Sequence, residues 1–598
     1  MRKISENNRR IPIYRVIPAI LTLSLLTACS LPGASGTSAS LASGTPETSE
    51  VSGTVSGNMD ETAVVSSVSS GFDDADKDAS WDKSSSTLIS LQGSSASVDG
   101  SGASADQNII TITSAGTYVI SGTLSDGQIL IDTEDANPVR LVLNGASISS
   151  SGSAPIYVEK AAKAVLILAE GTENNLADGS DYTYSDAEEE EPDAALFSKS
   201  DLTINGTGTL SIDANFKHGI NCKDTLKILD ATLNVDAVSD GIRGKDSIAV
   251  QNANLTVNAG SDGMQSSNDT DSSLGYIVIE SGTFRITSGN DGIQAETALL
   301  IKDGDFTVTT GGDGLHSDLT MQLDDGTVTV TKSYEGIESA LLTINGGTYY
   351  ITSSDDALNV AGGTDSSSDT AGGMNAMATT GVNNLFINGG YIYADAGGDG
   401  LDANASITMT GGTAIVNGPT NDGNGAVDYA GTFHMTGGLL ITAGSSGMAQ
   451  APDSESTQNV VTIFSDTEQT AGTIIRIEDE EGNDILTFAP SKNYSSVVLS
   501  SSALTTGSTY KVFFGGSSTG TVKDGLYTGG SYSGGTESTG FTVSTVVTTV
   551  GSGGGMTGGM GGDMGGAAGQ GGPGGNMGGK GQNGTPPDMA DGSAPSMP

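Results

Sequence analysis

Acidic residues recur along the chain at a near-constant spacing, each directly before a glycine or, once, before an alanine. The seven residues are Asp240, Asp262, Asp291, Asp313, Glu335, Asp356 and Asp399. Carboxylate oxygens are the ligands that calcium prefers, and calcium accepts roughly six to eight of them in a loose geometry. If the repeat stacks these residues in one column, we predict Ca2+ at some positions of that column. Alternatively, Asp only suits the turn before Gly by capping its own backbone, and water and salt screen the charges.

A second, shorter acidic series lies beside lysines. Lys223-Asp224 and Lys245-Asp246 are 22 residues apart. We predict that Asp224 and Asp246 are further calcium ligands, and that the neighbouring lysines face a sugar carboxylate. The alternative is a ladder of alternating surface charges that holds no ligand.

Polar side chains also recur two residues after each glycine position, in a row that we expect to point outward. The row is Asn221, Arg243, Gln265, Gln294, His316, Glu338, Asn359 and Asp402. Amides, a guanidinium and an imidazole hydrogen-bond sugar hydroxyls well. We therefore predict that carbohydrate contacts Arg243, Gln265, Gln294, His316 and Glu338. The alternative is that this row simply faces water. Four tyrosines could stack on sugar rings, although Tyr in strands more often packs: Tyr276, Tyr334, Tyr350 and Tyr393.

The candidate catalytic residues are few. The three histidines, His218, His316 and His434, are scattered along the chain, and no Ser-His-Asp or zinc arrangement can be assembled from the sequence. We therefore predict no catalytic residue. A calcium-dependent lyase would need a cationic base near a metal-held uronate, and the candidates for that base are Arg243, Lys223 and Lys245.

The spacing of these residues predicts the elements that position them. Successive glycine positions from Gly219 to Gly423 are 22 residues apart or close to it, except where polar insertions at 266–273 and 362–381 lengthen a unit. A second marker is an apolar residue 15 positions before the glycine position of its unit: Leu226, Ile248, Ile277, Leu299, Met321, Leu342 and Leu385. The residues between the markers alternate in strand fashion, with no room for a helix.

A unit of about 22 residues with three short strands and three turns is one coil of a parallel β-helix. We predict an all-β fold: a right-handed, single-stranded parallel β-helix over residues 88–450, with a small β domain over 451–548 that covers its open end. Asp-Gly and Gly-Gly pairs at the corners are expected to supply the positive φ angles of sharp turns.

Composition limits the partners. The chain has 598 residues, 87 of them glycine, and 71 acids against 24 bases give a formal charge of −47. A polyanion such as nucleic acid or an anionic membrane surface would be repelled, so cations are the expected partners. We expect a monomer.

The first 29 residues predict export, and the two flanking segments are expected to be flexible. Residues 1–29 resemble a lipoprotein signal peptide in which Leu26-Thr27-Ala28-Cys29 matches the bacterial lipobox, so we predict lipidation of Cys29. Residues 30–87 are expected to form a Ser/Thr/Gly-rich tether, and residues 549–598 a disordered Gly/Met/Pro-rich tail. The folded part would then be held at the outer side of a bacterial cell membrane, attached through the lipid alone.

Four stretches resemble a known family: "ALFSKSDLTINGTGTL", "KHGINCKDTLKI", "SDGIRGKDSIAV" and "GNDGIQAE". They are similar to motifs of bacterial secreted carbohydrate-binding domain-containing proteins, over about residues 85–545. The resemblance implies a right-handed parallel β-helix similar to that of pectate lyases, bound calcium, and binding of plant cell-wall or acidic polysaccharide without catalysis. His218 and Glu335 stand where that family usually has Asp, and Ala357 replaces Gly, so calcium is least expected at those three units.

Three functional hypotheses follow from the sequence. The first is a lipoprotein that binds polysaccharide, cellulose-like or polygalacturonate-like, without catalysis and with calcium on the stacked acids. The second is a calcium-dependent polysaccharide lyase. The third is a passive β-helical stalk or adhesin that binds no sugar.

Overall fold

The computed structural model describes residues 68–184, 190–361 and 383–552. The predicted signal peptide with Cys29, most of the tether, all of the second insertion and most of the tail lie outside these residues. The described chain is nearly all β, as predicted. Its helical elements are one turn, α1 (Asp74–Lys77), and a 3-10 turn, Lys83–Ser85. Among the described residues, no helix combines the length and the apolar character that crossing a membrane requires.

Forty-seven strands make up the described fold. The first ten are β1 (Thr87–Gly93), β2 (Ala96–Asp99), β3 (Ala103–Asp106), β4 (Ile109–Ile112), β5 (Gly116–Leu124), β6 (Gln128–Asp132), β7 (Val139–Ser150), β8 (Ile156–Lys160), β9 (Ala164–Leu168) and β10 (Glu173–Asp178). The regular part contains β11 (Ala194–Ser198), β12 (Leu202–Asn205), β13 (Thr209–Ala214), β14 (His218–Cys222), β15 (Thr225–Leu229), β16 (Thr232–Ala237), β17 (Ile242–Gly244), β18 (Ser247–Gln251), β19 (Ala253–Ala259), β20 (Met264–Ser266), β21 (Tyr276–Ile279), β22 (Gly282–Ser288), β23 (Ile293–Ala295), β24 (Ala298–Ile301), β25 (Asp305–Thr309), β26 (Leu315–Leu323), β27 (Thr327–Lys332), β28 (Ile337–Ile344), β29 (Thr348–Ser353), β30 (Leu358–Val360), β31 (Asn384–Ile387), β32 (Tyr391–Ala396), β33 (Leu401–Ala403), β34 (Ile407–Met409), β35 (Thr413–Asn417), β36 (Asp428–Tyr429), β37 (Phe433–Met435) and β38 (Leu439–Gly444). The last nine are β39 (Val460–Gln469), β40 (Ile475–Asp479), β41 (Asp484–Phe488), β42 (Tyr494–Ser500), β43 (Thr509–Ser518), β44 (Thr521–Lys523), β45 (Leu526–Thr528), β46 (Tyr532–Thr542) and β47 (Val547–Val550).

The regular part follows one pairing rule. From β7 to β23, each strand pairs in parallel with the third strand after it, for example β14 with β17 and β17 with β20. Three strands therefore complete one unit before the chain returns to the next position along the sheet. Later units keep this order, although two of the three strands merge in β26 and β28. We call each three-strand unit a coil. The handedness and the single-stranded β-helix class stay predictions.

The register between coils confirms the apolar marker. Leu226 pairs with Ile248, and the column continues through Ile277, Leu299, Met321, Leu342 and Leu385. All seven side chains are fully buried in one continuous core. Leu342 pairs with Leu385 across the second insertion, so the extra residues leave the strand register intact. Stacked apolar rows of this kind, such as Phe284 on Phe306 with ring centroids 4.4 Å apart, bury surface that a single coil would expose.

The last unit of the repeat differs from the prediction. Asp422-Gly423 was expected to continue the series, but both residues are exposed in a loop. The Leu401 amide donates to the Ala426 carbonyl, and Asp402 pairs with Asp428, so Gly425-Ala426 occupies the repeat position. The last unit is therefore longer than the spacing of the sequence pattern indicates.

The glycines before β17, β20 and the equivalent strands have a different cause from the predicted one. Gly241 and Gly263 do not have positive φ. A Cβ at Gly263 would lie 2.5 Å from the Gly292 carbonyl oxygen and against the Ile286 side chain. The Asp-Gly corners thus require glycine for space. Positive φ angles occur instead at glycines that precede other strands of the coil. One example is Gly390, directly before β32, with a φ of 81°.

The N-terminal segment departs from the predicted tether. Residues 68–86, here called the strap, lie against the outer face of the coils and lead into β1. Asp76 in α1 is fully buried and forms ion pairs with Lys163 and Lys227. Residues 68–86 therefore do not belong to a flexible tether, because the ion pairs of the buried Asp76 fix this segment.

The C-terminal strands form a separate sheet and also close the large one. The sheet of β44, β45, β41, β40, β43 and β46 is antiparallel. By contrast β39, β42 and β47 join the large sheet, where β42 pairs antiparallel with β38 of the last coil. An open sheet edge is a site for unwanted strand pairing, and β42 covers the edge of β38.

Candidate functional site

The seven acids do form one column, and at five of the six steps a backbone amide donates to the carboxylate of the preceding acid. The backbone amide of Asp262 donates to Asp240 Oδ1 at 3.2 Å, and that of Asp291 donates to Asp262 Oδ1 at 3.0 Å. The same bond recurs from Asp313 to Asp291 at 2.7 Å. It recurs again from Glu335 to Asp313 at 3.1 Å and from Asp399 to Asp356 at 2.6 Å. Asp is favoured here because its short carboxylate caps the backbone of the neighbouring coil, a structural role that needs no metal.

In several coils, a carboxylate oxygen of the column acid faces the polar row. There the row side chain three residues later in the same coil contacts the column acid directly. Gln265 Nε2 donates to Asp262 Oδ2 at 2.6 Å. Arg243 Nε lies 3.2 Å from Asp240 Oδ2. The residue type in the row therefore decides whether a column acid is neutralised, hydrogen-bonded or left beside another acid.

At the first coil of the column, two basic side chains contact Asp240. His218 Nδ1 lies 3.1 Å from Asp240 Oδ2, and Arg243 contacts the same oxygen. Burial acts to raise the pKa of Asp240, but the His218 hydrogen bond and the charge of Arg243 hold that pKa below its usual value. Asp240 is 5% exposed. An additional divalent cation would have to displace both partners.

At the middle of the column, His316 is an internal cation. Its Nδ1 lies 2.9 Å from Glu338 Oε2 and 3.3 Å from Asp313 Oδ2, and its Nε2 lies 3.0 Å from Asp318 Oδ1. Burial acts to lower the pKa of His316, yet the three carboxylates raise it far above its usual value. A protonated imidazole cannot ligate a metal. Asp313, His316 and Glu338 are close enough to hold an ion, but the His316 imidazolium already contacts both carboxylates.

The end of the column is different. Asp356, Asp399 and Asp402 each offer a carboxylate oxygen, and these oxygens lie within 4.8 Å of one another. We call these three residues the acid triad. Burial and the neighbouring carboxylates raise the pKa of Asp356 to about 8, that of Asp402 to about 7 and that of Asp399 to about 6. The charged neighbours that act on them are all acids, among them Asp355 and Asp428.

Three oxygen ligands in a half-buried pocket of like charge are a donor set that suits calcium. In the part of the chain that the structure describes, no Lys, Arg or His forms an ion pair with the triad, in contrast to the first and middle coils. The sequence pattern found Asp356 and Asp399 but placed Asp402 only in the polar row. The signal that could have identified Asp402 is its position three residues after Asp399, which brings two carboxylates together in one coil.

The remaining column acids lie between these extremes. Burial and the nearby Asp313 raise the pKa of Asp291 to about 8. Burial and Glu338 raise the pKa of Glu335 to about 9. Asn359 Nδ2 donates to Glu335 Oε2 at 2.6 Å. These two acids are therefore held in the protonated form near neutral pH or need a counter-charge.

Two of the side chains predicted to contact sugar are buried. His316 is 1% exposed and Glu338 is 9% exposed, and each binds the other. This burial argues against direct sugar contact by either residue, and both imidazole nitrogens of His316 already contact carboxylates. Gln265 and Gln294 are half-buried, and the buried Oε1 of Gln294 has no hydrogen-bond partner among the described residues.

The Lys-Asp series does not join the column. Lys223 Nζ pairs with Glu191 at 2.7 Å, not with Asp224. Burial and the nearby Asp201 raise the pKa of Asp224, while Asp246 Oδ1 accepts from Asn268 Nδ2 at 2.7 Å. Asp224 and Asp246 are both half-buried. Lys223 pairs with Glu191 and Arg243 pairs with Asp240, so two of the three candidate bases for a lyase are ion-paired.

The predicted stacking tyrosines divide into two groups. The C-terminal sheet covers Tyr350, whose ring lies beside Tyr391 and Tyr393, and Lys523 Nζ lies 3.5 Å from the Tyr391 ring centroid. Tyr334, in contrast, is 52% exposed. A hydrogen bond to Asp355 raises its pKa to about 12. Asp355 is one of the acids beside the triad, so Tyr334 offers an exposed ring next to the candidate metal site.

Comparison with known proteins finds relatives that are described as carbohydrate-binding. Residues 106–364 match the family model described as carbohydrate-binding domain-containing protein. A curated carbohydrate-binding domain-containing protein of Acetivibrio thermocellus is 40% identical over 136 residues, which are 23% of this chain and 48% of the relative. The chain thus spans about half the length of that relative.

One solved structure is also similar in sequence. It is described as a polysaccharide lyase-like protein from C. thermocellum, in a gadolinium derivative. The identity is 33%, and the match covers 40% of this chain and 96% of that one. The TM-score is 0.39, which is too low to establish a shared fold.

Proposed function

We propose that this protein is a bacterial cell-surface lipoprotein that binds polysaccharide without catalysis, and that it does so through calcium held by the acid triad. Its fold is proposed to be a right-handed parallel β-helix, and its anchor a lipid on Cys29. The observation that carries the proposal is that Asp356, Asp399 and Asp402 converge with no protein cation among the described residues to balance them. The match of residues 106–364 to carbohydrate-binding domain-containing proteins supports the ligand class.

The triad favours calcium for reasons of chemistry and space. All three ligands are carboxylates, which suits a hard cation such as Ca2+ and disfavours zinc, which usually takes N and S ligands. Calcium needs roughly six to eight oxygens, so three side chains leave positions for water or for a ligand oxygen. Asp355 and Asp428 add negative charge next to the site. A cation held there would present open coordination positions to the solvent.

Those open positions determine which polysaccharide the site favours. A chain with a formal charge of −47 repels a uronate polymer, and a bridging calcium removes that repulsion locally. The exposed Tyr334 ring provides an apolar surface for the C–H face of a sugar beside the metal. We therefore propose an acidic glycan, of the polygalacturonate kind, as the ligand of the triad.

The test is a glycan array and a solution titration, each performed with calcium and with excess EDTA. Acidic glycans should bind with calcium and be lost with EDTA, and an Asp399→Asn/Asp402→Asn variant should lose the same signal. An Asp466→Asn/Glu468→Gln variant is the matched control, because it removes equal charge from exposed positions in the C-terminal region. Calcium-independent binding to the same acidic glycans would reject the bridge. An array without any signal would favour a passive stalk.

The lipid anchor needs its own experiment. Growth of the producing bacterium with a labelled fatty acid should label the full-length protein, and Cys29→Ser should abolish the label. Retention of the protein in the membrane fraction despite Cys29→Ser would contradict attachment through the lipid alone.

A further inference from the structure

A second candidate binding surface lies beside the strap, far along the chain from the acid triad. It contains Trp81, which is the only tryptophan in the sequence. Trp81 follows α1, whose N-cap is Asp73, and it precedes the 3-10 turn, whose N-cap is Asp82. Two capped turns therefore fix the backbone on both sides of the indole.

Arg140 fastens the same backbone to the coils. One of its terminal nitrogens donates to the Asp78 carbonyl at 2.8 Å and to the Ser80 carbonyl at 2.7 Å. On the coil side, Ala79 and Trp81 pack against a small apolar cluster formed by Val119, Val142, Val165, Ile167 and Ala169. The indole is thus held rigidly but stays only half-buried.

The free side of Trp81 borders a groove of about 380 Å3. Its other walls include Ala169, Gly206 and Thr207, and the exposed carboxylates of Glu170 and Asp230 stand at its edge. This volume lies at the lower end of the roughly 300–1,000 Å3 that small-molecule sites occupy. The larger groove on the coils, of about 530 Å3 and lined by alanines, Asp213, Asp236 and Asn258, has no aromatic ring in its described lining.

We propose that the groove at Trp81 binds a neutral pyranose unit of a polysaccharide, without calcium. The inference rests on the proposed function, because the ligand class is carbohydrate in both. The apolar face of a pyranose packs on an aromatic ring, and the carboxylates of Glu170 and Asp230 accept hydrogen bonds from its hydroxyls. The same two carboxylates repel a uronate, since like charges a few ångström apart oppose each other. The two sites therefore select opposite classes of sugar.

The experiment uses Trp81 as its own reporter. The full-length protein, in EDTA, is titrated with neutral oligosaccharides (cello-, xylo-, manno- and β-1,3-gluco-hexamers) and with oligogalacturonate while indole emission is recorded. At least one neutral oligosaccharide should change the emission saturably, and oligogalacturonate should not. By calorimetry, Trp81→Phe should weaken the binding of that neutral ligand several-fold, and Glu170→Gln/Asp230→Asn should weaken it while relaxing the exclusion of oligogalacturonate.

Asn suits position 230 because its backbone has φ 55°, a conformation that Asn tolerates. Emission unchanged by every neutral hexamer would overturn the inference, as would unaltered affinity in Trp81→Phe. If calcium-dependent binding of acidic glycan persists while Trp81 stays silent, only this inference fails. If Trp81 responds to a neutral sugar while acidic glycans never bind, the triad proposal fails and this one stands.

Discussion

Replacing Asp76 by Asn should release the strap from the coils. Asp76 is fully buried between two lysines, and it also accepts a hydrogen bond from Thr203 Oγ1 at 2.5 Å. Lys227 Nζ lies 2.9 Å from Asp76 Oδ2, and Lys163 contacts Oδ1. The substitution keeps the shape of the side chain but leaves two ammonium groups without their central anion.

The expected magnitude follows from the burial of the lysines. Breaking a buried ion pair by removing one partner typically costs about 3–5 kcal/mol. The Lys163 and Lys227 side chains keep 15% and 14% exposure, and Lys163 retains Asp73 at 3.1 Å. We therefore expect the low end, about 3 kcal/mol, which weakens docking of the strap roughly 100-fold.

The assay follows Trp81 emission and limited proteolysis of the strap during urea titration. In the Asp76→Asn variant the emission should change at lower urea than in the parent, before the coils unfold, and cleavage near the strap should accelerate. Asp74→Asn is the matched control, since it removes the same charge from an exposed position of the same helical turn. Equal strap stability in the two variants would refute the assignment of the ion pairs as the fastening.

Further predictions concern pH, the glycine corner and the internal cation. The raised pKa values of Asp356 and Asp402, about 8 and 7, mean that the folded state binds protons more tightly than the unfolded state. Stability in EDTA should therefore fall as pH rises from 6 to 8 and should fall less with calcium, as read by Tm. Gly292→Ala places a Cβ 2.5 Å from Val308 Cγ1 and should cost about 1–3 kcal/mol by urea titration, whereas an unchanged midpoint would refute the steric reason for glycine. His316→Gln leaves three carboxylates without their cation and should cost about 3–5 kcal/mol, and a stability loss below 1 kcal/mol would contradict its role.

The pH dependence of strap docking should be opposite to that of the acid triad, because the strap should lose stability as pH falls. Burial acts to raise the pKa of Asp76, but hydrogen bonds from Lys163, Thr203 and Lys227 hold it well below the ordinary value of 3.8. A depressed pKa contributes stability that is fully present above the ordinary value and is lost as pH falls below it. Trp81 emission should therefore remain native at pH 4 and change only in stronger acid. A transition above pH 5 would contradict this account.

The repeating features were predictable because a coil repeats one physical requirement. Leu226 and Ile248 had to be apolar to share a core, and their spacing gave the register that the pairing confirms. The Asp column was also predictable, since any residue at a fixed position in a stacked coil must form a row. Periodicity cannot show what each acid meets within its coil, so the different surroundings of Asp240 and Asp399 emerged only from the three-dimensional contacts.

The strap and the last unit escaped prediction for a related reason. The sequence "DDADKD" at 73–78 has a polar composition typical of a linker, and nothing local reveals that Lys163 and Lys227 lie opposite Asp76. Contacts between residues about 90 and 150 positions apart leave no periodic signal. Similarly, Asp422-Gly423 matches the sequence pattern but lies in a loop. Three inserted residues shift the repeat position to Gly425-Ala426.

A calcium titration of the metal-free protein shows whether the acid triad binds the metal. Calorimetry at neutral pH should detect calcium binding to the parent chain and to the Asp466→Asn/Glu468→Gln control, and an acidic oligosaccharide should then bind only to the calcium-loaded form. The Asp399→Asn/Asp402→Asn variant should lose both signals. Calcium binding of equal affinity and stoichiometry in that variant would contradict the assignment of the triad as the metal site.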